Sequence, residues 1–225
     1  ASVVEGVARG CRTHAMALTG GETAMMPGLY QSGHFDLAGT ILGVVEEDQA
    51  IHGDRVVPGD VLLAYASSGL HTNGYTLARR IIFDVMKLSL DAPLADTGLT
   101  VADQLLAVHR SYAAAVMPIV PRAHAIAHIT GGGIPGNLVR VLPERCEAVV
   151  DGGSWDLPPL FHLLQQQGKV ALDEMREVFN LGVGLIVVLA PGDVDAAQDA
   201  ARVAGVDTWL LGEVRRGERG VRFTP

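Results

Sequence analysis

The sequence predicts an α+β fold, in which helices and strands are mixed along the chain without strict alternation. Apolar runs of strand length, such as VLLAYA at 61–66, lie between segments whose apolar residues recur at helical spacing. Strand candidates follow one another within 35–66 and within 208–223, whereas a doubly wound sheet requires a helix between successive strands. Because 48% of the 225 residues are hydrophobic, the chain is able to bury a substantial core.

The start of the chain is predicted to contain one helix and two strands. Apolar residues first recur at helical spacing, and the run AMALTGG is then apolar up to its two glycines. The long apolar run FDLAGTILGVVEE is typical of a strand that is buried on both faces or lines an interface. The predicted elements are a helix at 2–16, a strand at 15–21, a loop at 22–28 and a strand at 35–47. We place a domain boundary near residue 48, between domains 1–48 and 49–225.

The second domain is predicted to be complete. Pro118 and Pro121 end one of its helices, Asn137 is a good N-cap, and Gly205 is the expected C′ residue of a later helix. In chain order we predict a hairpin-like stretch at 49–60, a strand at 61–66, a helix at 75–86, a linker from 91 into a helix at about 100–117, a strand at 124–130 and a short helix at 137–142. There follow a strand at 147–151, a helix containing Leu160, Leu163 and Leu164, a helix at 173–179, a strand at 182–190, a helix at 193–205, and a terminal hairpin of 208–217 with 220–223.

Composition and charge narrow the functional classes. The formal net charge of −8 argues against a nucleic-acid surface, which needs clustered Lys and Arg, but it does not exclude small phosphorylated ligands. No apolar run approaches the roughly 18 residues of a membrane-spanning helix, and no signal peptide is visible. Cys11 and Cys146 are too few for a disulfide framework. We therefore expect a cytoplasmic protein that binds neither nucleic acid nor membrane.

Two polar, Gly-rich loops follow predicted strands and lead into predicted helices. They are SSGLHTNG at 67–74, the first loop, and TGGGIPG at 130–136, the second loop. A loop before a helix presents free backbone N–H groups, which bind anions such as phosphate. Neither is a Walker A or dinucleotide-binding motif, because the glycine spacing differs and no Lys-Ser or Lys-Thr follows. One such loop is also typical of an ordinary turn, but two of them predict two phosphate-binding sites.

Three histidines are candidates for chemistry. His71 in the first loop is suited to hydrogen bonding with phosphate or to proton transfer, since its unperturbed pKa is about 6.5, although a merely solvated loop histidine is the alternative. His124 and His128 are four residues apart, as in a helical zinc pair. However, HAIAH lacks the Glu of HExxH and is predicted to be a strand, so we do not expect zinc there.

Two carboxylates in the first domain are candidates for a metal site. Glu22 lies in GGET, at the end of a predicted strand, where it is able to hold Mg²⁺; the alternative is a residue that caps a turn. Asp36 lies in an apolar strand candidate, and a buried charge there needs a partner or a metal. The alternative is that Asp36 lies at the exposed end of that strand.

Four motifs together resemble a known enzyme family. They are GGETAMMPGLY (20–30), VVPGDVLLAYASSGLHTNGYTLARRII (56–82), HITGGGIPGNLVRVLP (128–143) and FNLGVGLIVV (179–188). In these motifs the chain is similar to phosphoribosylformylglycinamidine cyclo-ligases, also called aminoimidazole ribonucleotide synthetases, from Gly6 to about Phe223. The resemblance implies that ATP activates the formyl oxygen of formylglycinamidine ribonucleotide, an amidine nitrogen attacks the formyl carbon, and phosphate leaves. The implied products are aminoimidazole ribonucleotide, ADP and phosphate, with Mg²⁺ as cofactor.

The resemblance also implies roles for individual residues. On the ATP and Mg²⁺ side it implies Glu22, Thr23 and Asp36, with Glu22 as the metal ligand. On the substrate side it implies Ser67, Ser68 and Gly69 of the first loop, with the substrate phosphate bound by Thr130, Gly131, Gly132 and Gly133. His71 and Asn73 are the implied catalytic residues, of which His71 is our choice for polar activation.

The implied fold has a ferredoxin-like N-terminal half, which forms a homodimer interface and much of the ATP site, and an α+β C-terminal half. Residues 1–48 match only the tail of the first half, and Met25 replaces a Glu that is usual in the family. Two alternatives stay open. One is a sister enzyme of the same superfamily: formylglycinamide ribonucleotide amidotransferase, selenophosphate synthetase, thiamine-phosphate kinase or the hydrogenase-maturation carbamoyl dehydratase. The other is an inactive fragment or binding module, and we expect little activity from this chain alone.

Overall fold

The computed structural model describes residues 2–94 and 97–225. Ala95 and Asp96, which belong to the predicted linker, lie outside the described residues. By the contacts of its backbone the chain divides into two compact units, Ala1–Asp48 and Gln49–Pro225.

The first unit contains one helix and no strand among its described residues. Helix α1 spans Ser2–Thr13, so it ends earlier than the predicted 2–16. The predicted strands at 15–21 and 35–47 are wrong, because these residues are exposed and irregular up to a 3₁₀ turn at Glu47–Gln49. A strand forms only when a neighbouring strand accepts and donates its backbone hydrogen bonds, and no described residue of this unit does so.

The second unit has the α+β architecture that the sequence predicts, with eight strands and seven α-helices among the described residues. The strands are β1 (Val61–Ala66), β2 (Pro93–Leu94), β3 (Leu99–Thr100), β4 (Ala125–His128), β5 (Cys146–Asp151), β6 (Val183–Leu189), β7 (Thr208–Arg216) and β8 (Gly220–Thr224). The α-helices are α2 (Tyr75–Arg79), α3 (Val101–Leu105), α4 (Ala113–Val116), α5 (Gly133–Leu138), α6 (Pro159–Gly168), α7 (Leu172–Val178) and α8 (Val194–Val203). A π-helix at Arg80–Val85 continues α2, and 3₁₀ turns at Met117–Arg122, Val139–Val141 and Pro191–Asp193 adjoin α4, α5 and α8.

The main sheet has six strands in the order β4-β6-β1-β7-β5-β8. All its pairs are antiparallel except β5 with β8, and β2 with β3 forms a separate two-stranded sheet. The predicted terminal hairpin is therefore wrong, because β5 lies between β7 and β8: Val149 pairs with Glu213 on one side and with Arg222 on the other. The 217–219 turn crosses the start of β5, where Gly217 and Arg219 donate their N–H groups to backbone carbonyls at 145 and 144.

The core lies on both faces of the sheet. Every residue of β6 is buried, and so are the four central residues of β1. Because successive side chains of a strand point to opposite faces, Leu62 and Ala64 pack with α5 on one face, whereas Leu63 and Tyr65 pack with α4 and α8 on the other. A third cluster is formed by α2, α3, α6 and α7. No helix of the described residues has both the length and the apolar content needed to cross a membrane.

Three further predictions are corrected by tertiary contacts. The predicted helix at 100–117 is interrupted at 106–112, because the side chains of Arg110 and Tyr112 donate hydrogen bonds to the carbonyl of Ala66. The 49–60 stretch forms turns and no strand, and the carboxylate of Asp60 accepts the N–H of Val57. Asn137 lies inside α5 and does not cap a helix, since α5 begins four residues earlier.

Candidate functional site

The backbone at the start of the first loop is fixed by the buried side-chain amide of Asn180. Asn180 is 4% exposed; its Nδ2 donates to the carbonyl of Gly69 at 2.8 Å, and its Oδ1 accepts the Ser67 hydroxyl at 3.1 Å. The same Oδ1 accepts the N–H of Gly182 at 2.8 Å, while the N–H of Ser67 donates to the carbonyl of Gly182. These bonds fix the backbone of 67–69 against the start of β6.

The side chain of His71 is hydrogen-bonded to the backbone of the same loop. The ring is 5% exposed, and its Nε2 accepts the backbone N–H of Ser68 at 3.0 Å, which assigns the proton of the neutral ring to Nδ1. Nδ1 is buried and has no hydrogen-bond partner among the described residues. Burial first, and then the charges of two neighbouring histidines and an arginine, lower the pKa of His71 to about 4. The ring is therefore neutral at pH 7.

His109 and His128 lie beside His71, and we call the three residues the histidine cluster. The rings of His71 and His109 are stacked, with centroids 3.9 Å apart and planes 19° apart. The Nε2 atoms of His109 and His128 are 3.2 Å apart. Burial, followed by the charge of His128, lowers the pKa of His109. The sequence alone does not predict that these residues meet, because 38 positions separate His71 from His109.

The 106–112 segment is hydrogen-bonded to the first loop and to the last residue of β1. The Ser68 hydroxyl donates to the carbonyl of Val108 at 2.8 Å, and the Tyr112 hydroxyl donates to the carbonyl of Ala66 at 2.9 Å. Gly184 in β6 leaves space for the Tyr112 side chain, because a Cβ at this position would lie 1.9 Å from the Tyr112 hydroxyl. The Tyr112 pKa is raised by burial.

The second loop is organised by Asn137. Its Nδ2 lies within hydrogen-bonding distance of three carbonyls, the shortest being that of Gly133 at 2.7 Å, and its Oδ1 accepts the Thr130 hydroxyl at 3.0 Å. Gly133 has a φ of +58°, and a Cβ there would lie 1.8 Å from the carbonyl oxygen of Arg176. Both the backbone conformation and the close approach of α7 therefore require glycine at this position.

The two loops meet at Asn73 and Gly131. A Cβ on Gly131 would lie 3.3 Å from Nδ2 of Asn73, so the side chain of one loop rests against the backbone of the other. The structure thus places Asn73, a predicted catalytic residue of the first loop, beside Gly131, a predicted substrate-side residue of the second. An open cavity of about 320 Å³ lies at the start of the first loop. It is lined by Ser67, Ser68, Gly69, Thr97, Gln104, Pro158, Pro159, Leu160 and Phe161.

The predicted ATP-side residues belong to the first unit and form no site there. Glu22, Thr23 and Asp36 are exposed, and one carboxylate oxygen of Asp36 accepts the N–H of Leu37. Magnesium needs several oxygen ligands, but among the described residues the one group of three metal-ligating side chains is the histidine cluster, which offers only nitrogen. These residues do not fit a magnesium ion by themselves, and we derive no step through one.

Sequence reasoning missed several residues that shape the site. Asn180 lies in the FNLGVG motif, but the motif alone does not show that its side chain reaches the first loop, 111 residues away. Tyr112, Gln104 and Gly184 were missed for the same reason, since only the folded chain brings them to residues 66–71. An asparagine shortly before two glycines, Gly182 and Gly184, is the one signal available from the sequence, because asparagine side chains commonly bond to nearby backbone.

Comparison with known proteins assigns the chain to a family. The family described as AIR synthase related protein, C-terminal domain, matches residues 57–224. The chain belongs to this family. A relative from Trichlorobacter lovleyi named phosphoribosylformylglycinamidine cyclo-ligase is 47% identical over 217 residues, which are 96% of this chain and 62% of that protein. Relatives of the same name from Sorangium cellulosum and Anaeromyxobacter sp. are 46% and 45% identical, so the resemblance seen in the motifs is confirmed.

The chain spans less than two thirds of the length of these relatives. Solved structures show the same fold at low identity. Thiamine-monophosphate kinase from Stenotrophomonas maltophilia is 19% identical, with a TM-score of 0.55 over 80% of this chain and 54% of the other. The hydrogenase maturation protein HypE in complex with ATP has the same identity and TM-score, over 80% of this chain and 51% of the other.

Proposed function

We propose that this chain is the C-terminal part of a phosphoribosylformylglycinamidine cyclo-ligase of de novo purine biosynthesis. The reaction is the ATP-dependent cyclisation of formylglycinamidine ribonucleotide to 5-aminoimidazole ribonucleotide, with release of ADP and phosphate. The observation that carries the proposal is 47% identity to a cyclo-ligase over 96% of this chain. A protein of the same fold was solved with ATP, which supports nucleotide use by this architecture.

The two joined loops are proposed to bind the ribonucleotide. Ser67, Ser68 and Gly69 hold one part of it through hydroxyl and carbonyl oxygens, since their N–H groups already donate within the chain. Thr130, Gly131, Gly132 and Gly133 hold its phosphate. Rigid N–H donors stabilise an anion without reorganising when it binds. The contact between Asn73 and Gly131 supports this assignment, since it sets the spacing of the two loops.

We propose that this chain contributes to catalysis by positioning the substrate. The amidine nitrogen of the substrate forms a bond to the formyl carbon, and the formyl oxygen leaves as phosphate after its activation by ATP. Asn73 orients the substrate between the loops. His71 acts by holding the N–H of Ser68 in place, because its Nε2 is already engaged with that group and its Nδ1 is out of solvent. Alignment of two bound ligands is a large catalytic effect in itself.

Glu22, Thr23 and Asp36 remain proposed contacts of the ATP side, completed by Mg²⁺ and by groups outside this chain. A homodimer and a cytoplasmic location also stay predictions. Light scattering of a complete enzyme tests the predicted homodimer, because a monomer at assay concentration contradicts this prediction.

Turnover of a chimera tests the function. The part of the Trichlorobacter lovleyi relative that this chain does not span is joined to this chain, and formation of aminoimidazole ribonucleotide, ADP and phosphate is measured. The chimera is expected to form all three in equal amounts, whereas this chain alone forms little. The intact relative is the positive control. A folded chimera that acts only on thiamine phosphate, selenide or formylglycinamide ribonucleotide overturns the assignment in favour of a sister enzyme.

A further inference from the structure

Three histidines from three separate segments converge beside the first loop. His71 belongs to that loop, His109 to the 106–112 segment, and His128 is the last residue of β4. One ring nitrogen of each lies within 4.8 Å of those of the other two. Their exposure rises from the buried His71 through the half-buried His109 to the exposed His128, so an ion from solvent has a path to the cluster.

The spacing of the outer two histidines suits a tetrahedral metal. A zinc ion bound by two imidazole nitrogens at 2.0–2.1 Å separates those nitrogens by about 3.3 Å. The Nε2 atoms of His109 and His128 are 3.2 Å apart. A direct hydrogen bond between two neutral rings gives the same distance, and a zinc titration distinguishes a metal site from this hydrogen bond.

The third histidine provides an independent observation. His71 is more than nine-tenths buried, and no residue in the described part of the chain is a hydrogen-bond partner of its Nδ1. Its ring is stacked on that of His109, and two nearly parallel rings at this separation do not direct their nitrogen lone pairs at one ion. Coordination therefore requires the His71 ring to turn, and its Nε2 then releases the N–H of Ser68.

We propose that His71, His109 and His128 bind one Zn²⁺ ion, with water or a ligand oxygen in the fourth position. Imidazole nitrogens suit zinc, whereas magnesium prefers oxygen, so this is not the site of the magnesium that the cyclo-ligase reaction uses. Zinc ties the 106–112 segment and the end of β4 to the first loop, and it frees the Ser68 N–H. Zinc binding does not require the proposed reaction, but a zinc-bound His71 no longer holds the Ser68 N–H as it does in the proposed function.

Zinc titration of the untagged, metal-free chain against a chromophoric chelator tests the site. One equivalent is expected to bind, and Mg²⁺ is expected not to compete. His109→Ala, His128→Ala and His71→Ala should each weaken zinc at least about tenfold, which is the lower end of the effect of losing even an outer-shell partner. His162→Ala, at an exposed position on α6, is the matched control and should leave the affinity unchanged.

Two results overturn the proposal. The first is no stoichiometric binding by the wild type, which leaves only a hydrogen bond between His109 and His128. The second is unchanged affinity in folded His71→Ala, which leaves a two-histidine site. If that variant does not fold, the wild type decides: one equivalent of zinc should shift the imidazole ¹⁵N resonances of His71, His109 and His128 and the amide of Ser68, but not those of His162. An unshifted His71 contradicts the three-ligand site.

Discussion

Nδ2 of Asn180 donates to the carbonyl oxygen of Gly69 at 2.8 Å, joining two segments that are 111 residues apart. Asn180→Asp keeps an oxygen that accepts from Gly182 and Ser67 but replaces the donor with a second acceptor facing Gly69. The Gly69 carbonyl then keeps only the Ser67 hydroxyl as a donor among the described residues and faces a buried charge, which is expected to cost about 1–3 kcal/mol of unfolding free energy. Urea unfolding measures this. The exposed Gln167→Glu makes the same amide-to-acid change and should be neutral; equal stabilities of the two variants contradict the assignment.

Gly184→Ala tests the packing beneath the 106–112 segment. The new Cβ would lie 1.9 Å from the Tyr112 hydroxyl and 2.6 Å from Cε1 of His71, so one of them must move. Overpacking of this kind is expected to cost about 1–3 kcal/mol. Gly192→Ala, which meets nothing within 4 Å, is the control. Because Phe lacks the clashing oxygen, Tyr112→Phe should partly rescue Gly184→Ala, and strict additivity in the double mutant would show that the clash is absent.

Two buried tyrosines should respond in opposite ways to loss of their hydroxyls. The Tyr65 hydroxyl is buried and finds no hydrogen-bond partner within residues 2–94 and 97–225, whereas that of Tyr112 donates to the carbonyl of Ala66. Tyr65→Phe is therefore expected to be neutral or stabilising, and Tyr112→Phe to cost about 0.5–1.5 kcal/mol. Thermal and urea unfolding of both variants measure the difference. Destabilisation by Tyr65→Phe would reveal a partner that the described residues do not supply.

Tyr65 also predicts an alkaline limit to stability. Burial raises the pKa of Tyr65 to about 12, against an ordinary value of 10.0. The fold favours the neutral phenol, so this contribution is fully present below pH 10 and is lost as the pH rises towards 12. The stability of the wild type should fall over this window more than that of Tyr65→Phe. Parallel curves of unfolding free energy against pH for the two proteins would refute the shift.

The contact between His124 and Asp60 is expected to matter more than any exposed ion pair. Nδ1 of His124 lies 2.7 Å from Oδ2 of Asp60, whose side chain is 3% exposed. His124→Ala leaves that carboxylate buried with only the N–H of Val57, at an expected cost of about 3–5 kcal/mol. Arg202→Ala, which removes an exposed pair with Asp199, is the control and should cost less than about 1 kcal/mol. Denaturation showing similar losses in both would contradict the burial argument.

The sequence predicts best where local pattern and burial agree. The strands β1 and β6 were predicted from their apolar runs, because both faces of the sheet centre are buried. The 35–47 strand and the terminal hairpin failed because strand pairing is non-local: no described residue pairs with the first, and β5 separates the strands of the second.

Some features of the candidate site are likewise predictable from the sequence and others are not. The residue types of the two loops show that they are polar, and the order of the predicted elements indicates the α+β class. The histidine cluster, the Asn180 bonds and the interruption at 106–112 depend on contacts between distant segments. A helical pattern over 100–117 gives no warning that Tyr112 bonds to Ala66.

Calorimetric titration of this chain with formylglycinamidine ribonucleotide tests most directly whether it carries the ribonucleotide side of a cyclo-ligase. We predict one bound ribonucleotide, weaker binding of ATP, and an affinity for the ribonucleotide at least about tenfold lower in Asn73→Ala, equivalent to about 1.4 kcal/mol. Gln167→Ala, on the exposed face of α6, should bind as the wild type does. Binding of ATP without the ribonucleotide, or an unchanged affinity in folded Asn73→Ala, would contradict the account.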